Sequence, residues 1–233
     1  MRYIILFHLL LYLSLTSCSQ QQAEIVPMNE EEVIEQPVVK HYLALGDSYT
    51  IGEAVLENER WPVKLVKALK NIGVDLGDAE IIARTGWTTR NLLNALDESD
   101  LYESYSWVSL LIGVNNQYQG RSTEEYRTEF EELLNRAIRY AGGDKDRVFV
   151  VSIPDYAYTP FGKGNEQVSQ EIDLFNDINK SITDRYEIKY INITDISRRG
   201  LEEPELVADD GLHPSGIMYS EWVERIVEQI DFK

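Results

Sequence analysis

The chain has 233 residues, 43% of them hydrophobic, and carries 40 acidic against 22 basic side chains for a formal charge of −18. That apolar content excludes a disordered chain, and the length left after two N-terminal segments, about 195 residues, suits one domain with a full core. The acidic balance repels phosphate backbones and so excludes nucleic acid as an expected partner, with solubility the simplest reason for the charge.

At the N-terminus, Arg2 precedes an apolar run from Tyr3 to Leu15. Its 13 residues are too few to span a bilayer as a helix and suit the apolar region of an export signal. The run ends in Leu15-Thr16-Ser17-Cys18, which resembles the lipobox of bacterial lipoproteins. The resemblance implies that residues 1–17 are removed and that lipid is attached to the sulfur and new amino group of Cys18. The domain would then be held on a membrane outside the cytoplasm, periplasmic or cell-surface. Several acyl chains together anchor durably where one does not. The alternative is an ordinary signal peptide followed by an unrelated cysteine. Cys18 is the one cysteine of the chain, so no internal disulfide can form. Loss of Arg2 with the signal takes the charge from −18 to −19. Residues 19–38 are polar and glutamine-rich, then acidic (Glu30, Glu31, Glu32, Glu35), with Pro27 and Pro37. They bury too little apolar surface to fold alone, and residues 18–38 read as a flexible tether.

Residues 39–233 form the domain. Val39 to Gly46 is a short apolar run closed by glycine, a first strand. Trp61, Leu65, Leu69 and Ile72 recur at helical spacing, with Pro62 acceptable in a first turn. Glu80 to Ala83 reads as a second strand and Thr88 to Leu96 as a short helix. Trp107 to Ile112 is almost wholly apolar, as a strand covered on both faces should be. Ser122-Thr123-Glu124-Glu125 has the form of a capping box and opens a helix with Tyr126, Phe130, Leu133, Leu134 and Ala137 on its buried face. Gly142-Gly143 stops it. Val148 to Ile153 is a strand closed by Pro154; Val168, Ile172, Phe175, Ile178 and Ile182 mark a helix. Ile188 to Ile193 is the fifth strand, and Trp222, Ile226 and Ile230 mark a final helix. Strands alternating with helices predict parallel pairing through right-handed crossovers, hence an α/β fold: a three-layer α/β/α sandwich on a five-stranded parallel sheet. Ligands in such folds bind at the carboxyl ends of the strands, so site residues should follow strands.

Ser48 follows the first strand, in Gly46-Asp47-Ser48-Tyr49-Thr50. A serine hydroxyl is a poor nucleophile until a base takes its proton. The domain offers His41 and His213. His41 sits at the start of the first strand, roughly 20 Å of extended chain from Ser48 and at the wrong edge. His213 lies after the fifth strand in Asp209-Asp210-Gly211-Leu212-His213-Pro214. An acid three residues earlier can fold back to its Nδ1, fixing the tautomer and stabilising the imidazolium. An Asp-x-x-His pair also suits a surface turn or half of a metal site. A metal would need several carboxylates besides, so none is expected. Arg84-Thr85-Gly86-Trp87 follows the second strand and Gly113-Val114-Asn115-Asn116 the third. Each offers donors for a tetrahedral oxyanion, a glycine N–H and an asparagine amide, and each also reads as a plain turn.

Together these four segments resemble the SGNH hydrolases, the GDSL-type esterases and lipases, named for Ser, Gly, Asn and His in four ordered blocks. Here the blocks fall on Ser48, Gly86, Asn115 and His213. The resemblance spans nearly all of residues 41–220 and implies a flavodoxin-like sheet and a Ser48-His213-Asp210 triad, choosing Asp210 over Asp209. It also implies an oxyanion hole of the Ser48 and Gly86 N–H groups with the Asn115 amide, and no cofactor. Tyr49 stands where the founding motif has leucine, and Asn116 where the family usually has aspartate. Ile153-Pro154-Asp155 through Thr159-Pro160-Phe161 is similar to the loop after the fourth strand in bacterial members. The motif is not the G-x-S-x-G elbow of α/β-hydrolases, since Thr50 occupies the second glycine position. Trp87, Tyr156, Tyr158 and Phe161 are candidates for an aromatic wall against the substrate. Such rings stack on sugars and also meet acyl chains, so short-chain acyl esters, acetylated sugars and lysolipids all remain open. An acyltransferase on the same scaffold, or a non-catalytic binding lipoprotein, are the competing readings.

Overall fold

The computed structural model describes residues 41–102 and 104–232. The expected signal, Cys18 and the tether lie outside the described residues.

Strand β1 (Tyr42–Gly46), β3 (Trp107–Leu111) and β4 (Val148–Val151) are buried at every position. Continuous apolar runs form the middle of this sheet because helices cover both of its faces. β2 (Ala79–Ala83) and β5 (Lys189–Ile191) are its edges, where all of β2 and the first two residues of β5 are partly solvated or exposed. All neighbours pair in parallel, in the order β2-β1-β3-β4-β5. The carboxyl ends therefore share one rim, with Gly46 registered against Ala83 on one side and Leu111 on the other. The order reverses around β1, the crevice where open α/β sheets take ligands.

The connections are helical: α1 (Ser48–Ile51), α2 (Trp61–Asn71), α3 (Thr89–Glu98), α4 (Val114–Tyr118), α5 (Thr123–Tyr140), α6 (Glu166–Arg185), α7 (Thr194–Ser197) and α8 (Gly216–Gln229). α2 packs on α8, while α5 packs between α3 and α6. With the sheet these make the three layers expected from the alternation of elements. Trp61 and Trp222 are fully buried where α2 and α8 meet the sheet.

Several local expectations need correction. Ile72 continues the helical spacing but caps α2 and is 64% exposed, because the helix ends one residue earlier. Val168 is only half-buried, in the first turn of α6. At Ser122 half of the capping box forms: Oγ accepts the Glu125 N–H at 3.1 Å, while the Glu125 carboxylate lies 4.0 Å from Arg121. A complete box stands instead at Thr88, whose N–H and side chain pair with Asn91 at the start of α3.

Candidate active site

Ser48 opens α1 two residues past the end of β1. The turn between them needs glycine at 46, where an added Cβ would collide with the Thr50 hydroxyl and stand 2.5 Å from the Leu111 carbonyl oxygen. Asp47 caps α1, its Oδ1 accepting the Tyr49 N–H at 3.1 Å. It is wholly buried, and burial pushes its carboxyl up to about 7 against the opposing pull of the Tyr49 and Gly113 N–H groups. As the first helical residue, Ser48 has no intrahelical partner for its N–H.

His213 comes from the far end of the chain. The segment carrying it is closed by a bridge between Val207 and Pro214 and by the Ala208 N–H donating to the His213 carbonyl at 2.8 Å. Within that loop Asp210 folds back: Oδ1 accepts the Leu212 and His213 N–H groups at 2.9 and 3.0 Å, and Oδ2 meets His213 Nδ1 at 2.6 Å. Partial burial raises the Asp210 carboxyl, but these bonds outweigh it and hold the group below the usual carboxylate range. Ser215 then caps α8. The His213 ring stands edge-on to Tyr49, centroids 5.6 Å apart, and the Tyr49 carbonyl accepts the Tyr219 hydroxyl of α8 at 3.0 Å. The residue after Ser48 is thus the surface against which the imidazole is set.

Gly86 and Asn115 follow β2 and β3. Gly86 has φ +84°, a backbone state that favours glycine. One Asn115 Nδ2 hydrogen goes to the Trp87 carbonyl at 3.0 Å, which leaves its second N–H free to aim elsewhere. Asn116 is buried, its Oδ1 accepting the Thr89 N–H at 2.9 Å and its Nδ2 donating to Thr89 Oγ1 at 2.7 Å. The amide standing in place of the usual aspartate therefore bonds through both its oxygen and its nitrogen.

Ser48, Gly86, Asn115 and His213 line one cavity of about 230 Å³. Its apolar wall is Val114, Leu212 and three rings, Tyr118, Tyr156 and Phe161, whose centroids lie 6.2–6.4 Å apart. Among the described residues no hydrogen bond joins Ser48 to His213, and such bonds often tighten only when substrate binds. Of the four expected aromatic residues, Tyr156 and Phe161 line the cavity while Trp87 and Tyr158 do not. Trp87 packs on the core and contributes its carbonyl. Tyr158 faces a separate hollow beside Ser169 and Asp173, under the Arg198 guanidinium. Tyr118 and Leu212 were missed by sequence reasoning. Tyr118 stands one helical turn after Asn115 on α4, so an i+3 count from Asn115 would have found it.

The wall is held from behind. The Tyr156 hydroxyl donates to Gln117 Oε1 at 3.0 Å, and Gln117 Nε2 donates to Glu171 at 2.6 Å. Buried Asp155 accepts the Ala157 N–H at 3.0 Å and pairs with Arg198 at 2.9 Å, which fixes the loop carrying both rings. The Phe161 N–H donates to the Gly211 carbonyl at 2.9 Å, tying this loop to the one that carries His213. His41, by contrast, stacks on Tyr102 at the amino end of β1. Among the described residues no group of three or more His, Cys, Asp or Glu side chains could hold a metal ion.

Known proteins share this architecture. TesA superposes with a TM-score of 0.65 at 16% identity, covering 82% of this chain and 97% of its own. The lipase/acylhydrolase from Enterococcus faecalis gives 0.62 at 22% identity, over 81% and 94%. A single-residue variant of Axe2, an acetyl xylan esterase from Geobacillus stearothermophilus, gives 0.64 at 18% identity, over 83% and 95%. At these identities the likeness is one of fold. No curated protein matches the chain. The family is shown by sequence, since residues 44–220 match the model of the GDSL-like lipase/acylhydrolase family from the first strand into the last helix. The chain belongs to that family, and is a serine hydrolase acting on ester bonds.

Proposed function

We propose that the protein is a carboxylic ester hydrolase, tethered outside the cytoplasm through Cys18, that works through a Ser48-His213-Asp210 triad and an acyl-enzyme. The observation that carries this reading is the single cavity shared by Ser48, His213, Gly86 and Asn115, with His213 Nδ1 2.6 Å from Asp210. With Nδ1 donating to Asp210, the neutral ring keeps its lone pair on Nε2. Nε2 takes the Ser48 proton as Oγ bonds to the acyl carbon, and the carbonyl electrons move onto oxygen. The Ser48 and Gly86 N–H groups and the free Asn115 amide hydrogen hold that oxyanion. Its collapse breaks the bond to the alcohol, which leaves with the proton from His213. Water then repeats the cycle on the acyl-enzyme and returns a carboxylic acid.

The substrate class is esters of short acyl chains, acetylated sugars or lysolipids. The aromatic wall of Tyr118, Tyr156 and Phe161 beside the nucleophile suits either a sugar face or an acyl chain. A panel of aryl esters from acetate to palmitate, run beside acetylated xylan and a lysophospholipid with Ser48→Ala as the blank, tests it. Hydrolysis that disappears in the variant is expected, along with labelling of Ser48 by a fluorophosphonate. A folded wild-type protein that neither labels nor turns over any ester sinks the reading. Labelling of intact cells with radioactive palmitate, lost in Cys18→Ser, checks the tether separately.

A further inference from the structure

One buried acid has no part in this mechanism. Glu129 sits on the core-facing side of α5 among Tyr126, Phe130 and Leu133, and is 3% exposed. Its Oε1 accepts Arg90 Nε at 2.8 Å and lies 2.7 Å from Arg90 Nη2, and its Oε2 accepts the Thr89 hydroxyl. Thr89 is the residue already bonded twice to Asn116.

The donor directions along this chain have one solution. A backbone N–H can only donate, so Thr89 turns Asn116 Oδ1 toward itself. That aims Asn116 Nδ2 at Thr89 Oγ1, which accepts. The Thr89 proton must then go onward, to a group that only accepts, and Glu129 is that group. Arg90 closes the far end. Because Thr89, Asn116 and Glu129 are buried, a broken link leaves a polar atom with neither partner nor water.

We propose that Glu129 is a positioning residue of the oxyanion hole, clamping through Thr89 and Asn116 the two loops that carry Gly86 and Asn115. The inference rests on the reading of those two residues as oxyanion donors. Two further bonds lace the same loops, Asn115 Nδ2 to the Trp87 carbonyl at 3.0 Å and Gln119 Nε2 to the Gly86 carbonyl at 3.2 Å. The clamp also explains the amide at 116. Aspartate there would set a second carboxylate on the one Thr89 proton that Glu129 already takes.

Polarity gives a reciprocal test. In E129Q, Arg90 holds Oε1 and turns Nε2 toward Thr89, whose own proton is stranded. In N116D, two carboxylates compete for that proton. In N116D/E129Q every link pairs again in the opposite direction: Arg90 to Gln Oε1, Gln Nε2 to Thr89 Oγ1, Thr89 proton to the aspartate. Hydrolysis of p-nitrophenyl acetate by the full chain reads the result, with thermal midpoints alongside. Each single variant is expected to lose about tenfold to a hundredfold in kcat at little-changed KM, as donors slip out of register. The double variant should recover most of that loss. Thr89→Val, which removes the hydroxyl at constant shape, should reproduce the E129Q loss and serves where a single variant does not fold. Wild-type kcat in folded E129Q and Thr89→Val, or a double variant showing both losses multiplied, overturns the clamp. Asn115→Ala separates the two ideas. A lowered kcat there with E129Q unaffected sinks the clamp alone; an unchanged kcat sinks the oxyanion reading and the clamp with it.

Discussion

The two halves of the proposed site are built in opposite ways. The base half is a single turn, with Asp210 and His213 three residues apart: His213 is buried, Asp210 is partly solvated, and every bond that folds the Asp210 carboxylate back lies between residues 210 and 213. The oxyanion half draws on loops after β2 and β3 and on the middle of α5, through buried and part-buried bonds between residues 27 to 40 positions apart. A local arrangement whose acid reaches solvent tolerates the loss of that acid's charge, since water can take up the bonds it leaves. A buried, long-range one does not, because each orphaned donor or acceptor keeps its full desolvation cost. The first half should therefore fail in chemistry alone, and the second in chemistry and stability together.

Variants can break or sharpen that contrast. Ser48 serves both halves, and Ser48→Ala should lower kcat on the order of 10⁶-fold with the fold intact. Measurable burst kinetics in that variant would remove serine from the mechanism. Asp210→Asn should cost about 10⁴-fold, as the imidazole loses its tautomer control, while the unfolding midpoint barely moves because Asn Oδ1 can keep the two turn bonds. A large fall in that midpoint would contradict the self-contained turn. Asn115→Ala should lose about 10²–10³-fold in turnover, the worth of one oxyanion donor. Matching its kcat against its urea midpoint shows whether losing the bond to the Trp87 carbonyl also loosens the fold.

The last variant leaves turnover aside and concerns Asp47, next to Ser48 in the chain. Burial raises its carboxyl from 3.8 to about 7, so the folded chain holds that proton more tightly than the unfolded chain. The stability this gives is present below pH 4 and is lost as pH climbs through 7. Asp47→Asn removes the dependence, so the variant should gain on the wild type between pH 4 and 8 in urea titrations. A difference that stays flat with pH would mean that Asp47 is not protonated preferentially in the fold.

What was legible in the sequence follows the same division. The sheet could be read because β1, β3 and β4 are apolar at almost every position, and α5 because Tyr126, Phe130, Leu133 and Ala137 keep one spacing. Ser48, Gly86, Asn115 and His213 were legible because four segments that follow strands also resemble, in order, the blocks of the SGNH hydrolases; strand-end position alone left each of them readable as a turn. The Asp210-His213 contact was legible because three residues is one turn. Ile72 misled because spacing says where a side chain points and not where the helix stops. Trp87 and Tyr158 misled because a turn swings successive side chains to different sides: Tyr156–Tyr158 is one turn of 3-10 helix, so a ring two residues from Tyr156 leaves the cavity, as does the ring next to Gly86. Glu129 was hidden entirely: its helical position predicts burial, but nothing in the linear order of residues names Thr89 and Asn116 as its partners.

The setting of the His213 ring against Tyr49 has a consequence for biosynthesis. Residues near the start of the domain meet their base only when the segment before α8 has been made. On the proposed triad, a chain not yet extended to residue 213 carries an inert serine. Clipping that C-terminal segment should silence the protein however well its sheet is preserved.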